Sequence, residues 1–228
     1  MSFLDHTFDL TNHFCDYVIY LSPAIKYSYM GRRSGGLLLL VKKRLEMFVS
    51  KIELSAEHIL ALKISKELIH SDQDVVVVFV YIPPQGAVHY RDNDSNCHIA
   101  ALDSCLLDIT ERFPEAHIVC CGDFNARTAN IQINNHPTDL STGPRNSVPL
   151  FQYSRSSCDG TVNDFGERLL DFCACFDLLI LNGCKQGDEK GHFTYVSTHG
   201  CSVIDYCLVS DSFVDRVAKF AVCDRVES

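Results

Sequence analysis

The sequence predicts an α/β fold in which two sheets pack face to face with helices outside. Apolar runs of strand length recur along the chain and are separated by turn segments. Only a few segments carry apolar residues at helical spacing. The length of 228 residues suits one domain of the larger α/β kind. Many strands with few helices are typical of layered sheets with helices on the outside.

The predicted strands are apolar runs bounded by turn residues. One of them, Gly36–Val41, follows a Gly-Gly turn, and another, Val75–Ile82, stops at Pro83-Pro84 because proline cannot continue a central strand. The full set is Tyr17–Leu21, Gly36–Val41, Met47–Leu54, His58–Ile64, Val75–Ile82, Ala116–Cys121, Leu178–Leu181, His192–Val196 and Val203–Val209.

Three segments are predicted to be helices. The first, His98–Phe113, has apolar residues at helical spacing and ends before Pro114. The second, Asn163–Phe176, has Asn163 as a candidate N-cap, and the third is Asp211–Phe220. Between the first two, Arg127–Thr161 is rich in Asn, Ser, Thr, Pro and Gly, which predicts a long surface loop within one domain, 1–228.

The charge balance limits how the chain could contact nucleic acid. Its net charge is −9, so the chain as a whole does not carry the basic face of a duplex-binding module. Any nucleic-acid contact must be local. An acidic total is compatible with an enzyme whose carboxylates hold a metal cation.

Twelve cysteines favour a reduced, intracellular protein over a disulfide-rich secreted one. Several lie in apolar segments, among them Cys120, Cys121, Cys173, Cys175 and Cys207, so we expect mostly buried thiols. No CxxC pair indicates a zinc site. The apolar runs are too short to cross a bilayer, so no membrane partner is expected. The sequence does not indicate whether an intracellular location would be nuclear or cytoplasmic.

The sharpest candidate site is Gly122-Asp123-Phe124-Asn125, directly after an apolar strand. Ligand and catalytic groups collect past the carboxyl ends of strands in α/β proteins. In an extended segment Asp123 and Asn125 would point the same way, so a carboxylate could hold Mg²⁺ or water while an amide donates to a phosphate. An Asx turn explains the tetrapeptide equally well.

Three more residues close or interrupt apolar strands. Tyr81 ends the strand before Pro83-Pro84, and Asp205 lies within an apolar strand, where a carboxylate needs a partner. That partner could be a backbone group or Tyr206. Alternatively, Asp205 could orient a catalytic histidine. Thr194 precedes this strand and could present its hydroxyl to the same edge.

These motifs, in this order, resemble the exonuclease–endonuclease–phosphatase superfamily, and in particular the endonuclease domain of LINE-type retroelements, which is similar to apurinic-site endonucleases. The motifs are Arg33-Ser34-Gly35-Gly36, Tyr81-Ile82-Pro83-Pro84, Gly122-Asp123-Phe124-Asn125, Asn163 through Asn182, Phe193-Thr194-Tyr195 and Ser202-Val203-Ile204-Asp205-Tyr206. The resemblance implies a four-layer α/β sandwich with two central, mostly antiparallel sheets. It also implies hydrolysis of phosphodiester or phosphomonoester bonds with Mg²⁺ or Mn²⁺.

The resemblance also implies roles for five residues. Asp123 corresponds to the acid that activates water or protonates the leaving group, and to a metal ligand. Asn125 corresponds to an amide that positions the water and the phosphate, and Tyr81 to a tyrosine that contacts the scissile phosphate. Asp205 corresponds to the acid that orients the family's histidine, and Thr194 to a substrate-binding threonine. DNA is the implied substrate, and a reverse transcriptase domain in a longer parent is an implied partner.

The sequence also departs from the family's pattern. The family's opening strands, with an Asn and a metal-binding Glu, have no counterpart before Met1, and the closing Ser-Asp-His is not complete at Ser228. We therefore expect a fold that is incomplete at both termini and at most trace Mg²⁺-dependent nuclease activity. Two alternatives stay open: a non-catalytic remnant of such a domain, and a phosphatase or lipid phosphodiesterase of the same fold.

Overall fold

The structure is a computed structural model that describes residues 10–26, 33–84, 97–133 and 154–223. It divides into two compact units, Met1–Ile118 and Val119–Ser228. The strands are β1 Tyr17–Ser22, β2 Leu37–Lys42, β3 Val49–Ile52, β4 Ile59–Ile64, β5 Val75–Tyr81, β6 His117–Asp123, β7 Leu178–Ile180, β8 Tyr195–Ser197, β9 Gly200–Ser202 and β10 Asp205–Ser210. The helices are α1 Leu10–His13, α2 Lys66–Ile69, α3 Cys97–Arg112 and α4 Asp164–Cys175, with 3₁₀ helices at Lys43–Phe48 and Asp211–Arg216.

The central sheet has six strands in the order β3-β4-β5-β6-β10-β7, and the division between the units falls within β6. Two further sheets, β1-β2 and β8-β9, have two strands each. The pairs β1–β2, β3–β4, β4–β5, β6–β10, β10–β7 and β8–β9 are all antiparallel. The predicted α/β class with mostly antiparallel sheets is therefore confirmed.

The core of the first unit is built on β4, β5 and α3. β5 consists largely of β-branched valines, which suit a pleated, buried surface, and its Val76 and Val78 are fully buried. In α3, Leu102, Leu106 and Ile109 recur at helical spacing, and none of them is more than 1% exposed. The apolar spacing that predicted this helix is therefore the spacing that buries it.

The core of the second unit lies around α4, β7 and β10. Phe165, Leu169 and Phe172 form the buried stripe of α4. The side chain of Asn163 accepts a hydrogen bond from the Gly166 N–H, which confirms it as the N-cap. A second buried cluster consists of Leu179, Leu181, Val209 and Val214.

Several details differ from the prediction. The predicted helix over Asp211–Phe220 is only a 3₁₀ helix at Asp211–Arg216. Val217 and Phe220, which pack against the same cluster as Val214, follow it outside any helix. The strand predicted at His192–Val196 begins later, at Tyr195. In the predicted loop, the bridge between Thr128 and Val162 is the one strand-like pairing among the described residues; positions 134–153 lie outside them.

The expectation of mostly buried cysteines is wrong for the described part of the chain. Three cysteines are buried: Cys105, Cys120 and Cys173. Five are exposed: Cys15, Cys158, Cys175, Cys201 and Cys223. Cys175 lies in the last turn of α4, two residues after Cys173, and therefore on another side of the helix. No helix within the described ranges is long and apolar enough to span a membrane.

Candidate active site

Two predicted site residues, Asp123 and Asp205, are direct cross-strand partners in the second unit. Asp123 ends β6, and Asp205 begins β10 opposite it in the antiparallel register. The Asp205 N–H donates to Thr194 Oγ1 at 3.1 Å, and the Asp205 carbonyl accepts from Asn182 Nδ2 at 3.1 Å. Both main-chain groups of Asp205 thus bond away from β6, so the two acids form a non-hydrogen-bonded pair. Such a pair places both side chains on one sheet face with Cβ atoms about 4.5–5.5 Å apart.

The surroundings of this pair disfavour two negative charges. Burial, with the negative charge of Asp205 as a smaller cause, raises the pKa of Asp123 to about 6, although a hydrogen bond from the Asn125 N–H opposes the rise. Burial also raises the pKa of Asp205, and a hydrogen bond with the Thr194 side chain opposes that rise. A bound cation would therefore stabilise the pair.

The Asn125 backbone is left-handed, with φ 47°. The expectation that Asp123 and Asn125 lie in one extended segment is therefore wrong. Their link is instead the predicted Asx turn, in which the Asn125 N–H donates to Asp123 Oδ1 at 2.9 Å. The Asn125 carbonyl accepts from Asn163 Nδ2 at 3.1 Å, so the N-cap of α4 also holds this turn. The two interpretations of this segment, an Asx turn and part of an active site, are therefore compatible.

The start of α4 lies directly against the loop that follows Asn125. Asn163 Oδ1 accepts hydrogen bonds from the N–H groups of Arg127 and Gly166, each at 2.8 Å. A Cβ added to Gly166 would lie 1.8 Å from the Arg127 carbonyl oxygen, so only glycine allows this approach. Helix α4 therefore fixes the loop that leaves Asp123.

Thr194 and Asn182 hold the start of β10 along the edge that faces away from β6. Thr194 Oγ1 accepts from the N–H groups of Ile204 and Asp205, both at 3.1 Å. Asn182 is 1% exposed; its Oδ1 accepts from the Cys207 N–H at 3.1 Å, and its Nδ2 donates to the Asp205 carbonyl. The Asn182 amide thus continues the backbone pairing of β7 beyond its last strand residue, Ile180. In the sequence, Asn182 stands out only as the end of a motif.

A buried polar network beneath Asp205 escaped the sequence analysis. The Tyr206 hydroxyl donates to the Val203 carbonyl at 2.9 Å and lies 3.1 Å from Thr128 Oγ1, which also accepts from Arg155 Nη2 at 2.9 Å. Asp159, which is 3% exposed, accepts a hydrogen bond from the Val203 N–H at 3.0 Å. Asp159 also accepts from Arg127 Nε and Nη2 at 2.8 and 2.6 Å.

Most of these buried polar groups come from the segment predicted to be a surface loop, so their burial corrects that prediction in part. Arg155, Asp159 and Thr128 are all buried. Loop composition gives no periodic signal from which such partners could be found, and the Arg127–Asp159 pair spans 32 positions of sequence. The one hint was the presence of ionic residues in a segment otherwise rich in small polar ones.

Tyr81 lies in the first unit, at the end of β5, against a buried histidine. The Tyr81 N–H donates to the His58 carbonyl at 3.0 Å, and the two rings meet edge to face with centroids 5.6 Å apart. A Cβ added to Gly35, whose φ is 73°, would lie 2.4 Å from the His58 ring. The Gly35 and Tyr81 motifs therefore meet at His58. Convergence of Tyr81 with the four site residues of the second unit stays a prediction.

The donors around Asp123 suit a hard cation. Carboxylate and amide oxygens are the ligands that Mg²⁺ accepts, and Mg²⁺ keeps several waters of its own. Asp123 and Asp205 supply two carboxylates on one sheet face. Within the described ranges, no group of three or more His, Cys, Asp or Glu side chains could hold a metal ion. Two protein carboxylates with water completing the shell is therefore the arrangement that these residues fit.

Residues 75–227 match the model of the endonuclease-reverse transcriptase family of exonuclease–endonuclease–phosphatase proteins. The chain belongs to this family. This match confirms the superfamily and retroelement resemblance. No curated protein sequence matches the chain.

Solved structures share the family fold at low sequence identity. The 3′-5′ exonuclease NExo from Neisseria meningitidis is 17% identical, with a TM-score of 0.50, covering 92% of this chain and 73% of its own. NExo from Neisseria, described as a 3′ phosphatase bound to a product DNA hairpin, is 16% identical with the same score and coverage. The endonuclease domain of TRAS1, a telomere-specific non-LTR retrotransposon, is 13% identical with a TM-score of 0.49, covering 86% of this chain and 69% of its own. At these identities the likeness to NExo shows the fold alone.

Proposed function

We propose that this endonuclease-reverse transcriptase family chain hydrolyses phosphodiester bonds in DNA with Mg²⁺, as a retroelement-type endonuclease. The observation that carries the proposal is the pairing of Asp123 with Asp205 on one face of the central sheet. Asp123 lies at the carboxyl end of β6, where α/β proteins place ligands, and the antiparallel pairing brings Asp205, at the start of β10, opposite it. Their register is fixed by β6, β10 and the amide of Asn182, so the pair is preorganised rather than assembled by a ligand.

In this proposal Asp123 moves the proton. Its pKa of about 6 lies near physiological pH, so the carboxylate can take a proton from the attacking water or return one to the leaving oxygen. The Asn125 N–H keeps the Asp123 carboxylate in one orientation through its 2.9 Å hydrogen bond. Asp205 is held by Thr194 and Asn182 and supports the charge of the site.

The proposed role of Asn125 is to position the phosphate. An amide can donate to a phosphate oxygen and accept from water without adding charge. Its backbone is fixed by Asp123 on one side and by Asn163 on the other. A donor that is already oriented stabilises developing charge without reorganisation.

Mg²⁺ or Mn²⁺ would be held by Asp123 and Asp205, with Asn125 as a neutral oxygen donor nearby. When bound, the cation supplies positive charge that neutralises the phosphate. Both carboxylates have a raised pKa in the absence of the cation. We therefore expect cation binding to release protons near pH 6.

DNA as substrate and a reverse transcriptase domain as partner are the finer parts of the proposal. The family description joins endonuclease and reverse transcriptase, which supports a longer parent protein that carries both activities. The structure of NExo from Neisseria is bound to a product DNA hairpin, which supports a nucleic-acid substrate for this fold. With a net charge of −9, contacts to the DNA backbone must come from local groups.

The test is nicking of supercoiled plasmid in Mg²⁺, with an EDTA control, followed for long enough to measure the trace activity that we expect of this chain. Asp123→Asn keeps the acceptor for the Asn125 N–H but removes the carboxylate, and we expect it to lower the nicking rate by about 10²–10³. The matched control is Asp171→Asn, the same change at an exposed position of α4. Nicking that survives Asp123→Asn unchanged would contradict the site assignment.

The two alternatives give other outcomes in the same series. A phosphatase would release phosphate from a 3′-phosphorylated oligonucleotide and leave the plasmid closed. A non-catalytic remnant would do neither, while calorimetry could still detect Mg²⁺ at Asp123. Equal Mg²⁺ binding by the chain and by Asp123→Asn would exclude the proposed metal site as well.

A further inference from the structure

A second acid–base pair in the second unit, Asp188 with His192, has no role in the proposed reaction. The imidazole Nδ1 of His192 lies 2.6 Å from Asp188 Oδ1. The Asp188 side chain is completely buried, whereas the His192 side chain is 51% exposed. A buried carboxylate therefore holds one nitrogen of a ring whose remaining surface faces outward.

Backbone groups hold Asp188 in place independently of the ring. Asp188 Oδ1 accepts from the His192 N–H at 2.8 Å, and Oδ2 accepts from the Gly183 N–H at 3.2 Å. Gly191, with φ 65°, lies against the Ser156 carbonyl, where an added Cβ would be 2.3 Å from the oxygen. The turn that presents His192 is therefore tightly fixed, and the ring has one orientation and one nitrogen, Nε2, left for a ligand.

The position of this ring in the chain connects it to the candidate active site. His192 lies two residues before Thr194, whose hydroxyl oxygen accepts the N–H of Asp205. Thr194 is itself anchored by donation of its N–H to the Ser202 carbonyl at 3.1 Å. The imidazole thus belongs to the same short segment that fixes one acid of the carboxylate pair.

We propose that His192 positions the substrate by contacting, through Nε2, a backbone phosphate next to the one bound at Asp123. An imidazolium donates from both nitrogens, so Nδ1 would stay on Asp188 while Nε2–H reaches a phosphate oxygen. An acidic chain needs local donors of this kind. The inference rests on the proposed function, because it takes a nucleic acid as the ligand.

A purely structural role for the ring is the competing account, and two substitutions separate the two accounts. In His192→Asn the amide nitrogen takes the place of Nδ1, so Asp188 keeps a donor while Nε2 is lost. In His192→Gln the amide reaches the position of Nε2 instead. If the ring contacts phosphate, binding is lost in the Asn variant and partly restored in the Gln variant. If the ring is only structural, the Asn variant keeps the contact with Asp188 and the Gln variant loses it.

The first measurement is the salt dependence of binding to a fluorescent DNA duplex, by anisotropy, with Ca²⁺ replacing Mg²⁺. We expect His192→Asn to weaken binding about three- to tenfold at low salt and to reduce the slope of log K against log salt by about 0.9. His70→Asn is the control, since His70 is an exposed histidine in the first unit with φ 51°, a backbone conformation that asparagine tolerates. An unchanged slope in His192→Asn overturns the inference.

The second measurement is direct and does not need DNA. In protein labelled at histidine, titration with inorganic phosphate should shift the His192 ring signals and leave those of His70 in place. If the chain cuts or binds DNA while His192 neither shifts nor changes the slope, the inference fails and the proposed function stands. If DNA does not bind but phosphate still shifts the His192 ring, the proposed function fails and the anion contact stands.

Discussion

Asp123 and Asp205 face each other across β6 and β10 as a pair whose main chains share no hydrogen bond, which brings the carboxylates close on one sheet face. When both carboxylates are ionised, this pair destabilises the folded state, because burial and mutual repulsion both disfavour ionisation. Its pH behaviour can therefore be predicted with a definite sign.

We predict that Asp123→Asn stabilises the chain at neutral pH. The folded pKa of Asp123, about 6, lies above the ordinary aspartate pKa of 3.8, so the native state binds the proton more tightly between these limits. Stability from this group is complete below about pH 4 and is lost as pH rises through 6. The melting temperature of the variant should exceed that of the wild type at pH 7 to 8, and the difference should vanish near pH 4. Asp171→Asn is the matched control, the same change at an exposed position of α4.

The Thr194 hydroxyl oxygen should contribute to the folding stability of the chain, whether or not Thr194 takes part in the reaction. It accepts two backbone N–H groups, those of Ile204 and Asp205. Thr194→Val keeps the shape but leaves both donors without their acceptor, and we expect a loss of about 1–3 kcal/mol in the free energy of unfolding. Thr194→Ser keeps the oxygen and should recover most of it. Equal losses in Val and Ser, measured by urea denaturation, would argue that the methyl group matters instead.

Two glycines of the second unit should respond differently to alanine. In Gly166→Ala the new Cβ would lie 1.8 Å from the Arg127 carbonyl oxygen, so α4 must move from the loop that follows Asn125. We expect a loss of about 1–3 kcal/mol in the free energy of unfolding, with weaker Mg²⁺ binding. Gly160→Ala is the control, because no atom lies within 4 Å of its added Cβ. Similar denaturation midpoints for the two variants would contradict this close approach.

The part of the site that sequence reasoning found is the part encoded locally. Asn163 was predicted as a cap because capping depends on the next three residues, and Asp123 because it directly follows an apolar strand. The fold class followed from strand-length runs for the same reason. The resemblance grouped Asp123 with Asp205, but their register required the pairing of β6 with β10, which no local pattern specifies.

Local sequence patterns gave wrong predictions where tertiary contacts determine the backbone conformation. The apolar residues after Asp211 fit a helix, yet Val214 is the one residue buried there, and the chain forms a 3₁₀ helix. Asp123 and Asn125 looked like neighbours in a strand, but a left-handed residue at Asn125 ends the extended backbone. The Asp188–His192 pair joins residues four apart outside any helix, where spacing carries no directional information.

The ion pair between Arg127 and the buried carboxylate of Asp159 should have the opposite pH dependence to Asp123. Although burial of Asp159 raises its pKa, the two hydrogen bonds from Arg127 and the N–H groups of Thr161 and Val203 together outweigh that effect, so the pKa of Asp159 is lowered below 3.8. Its stabilisation is therefore present above about pH 4 and lost as pH falls through the folded pKa.

We predict that Asp159→Asn lowers the free energy of unfolding by about 1–3 kcal/mol at pH 7, because each carboxylate oxygen accepts two hydrogen bonds and an amide replaces one of these acceptors with a donor. Urea denaturation from pH 7 to pH 3 should show the difference from wild type shrinking in acid. The difference between Asp123→Asn and wild type should also shrink in acid, but from a gain in stability at neutral pH rather than a loss. A loss from Asp159→Asn that stays constant down to pH 3 would mean that packing, and not the Arg127 pair, makes this residue important.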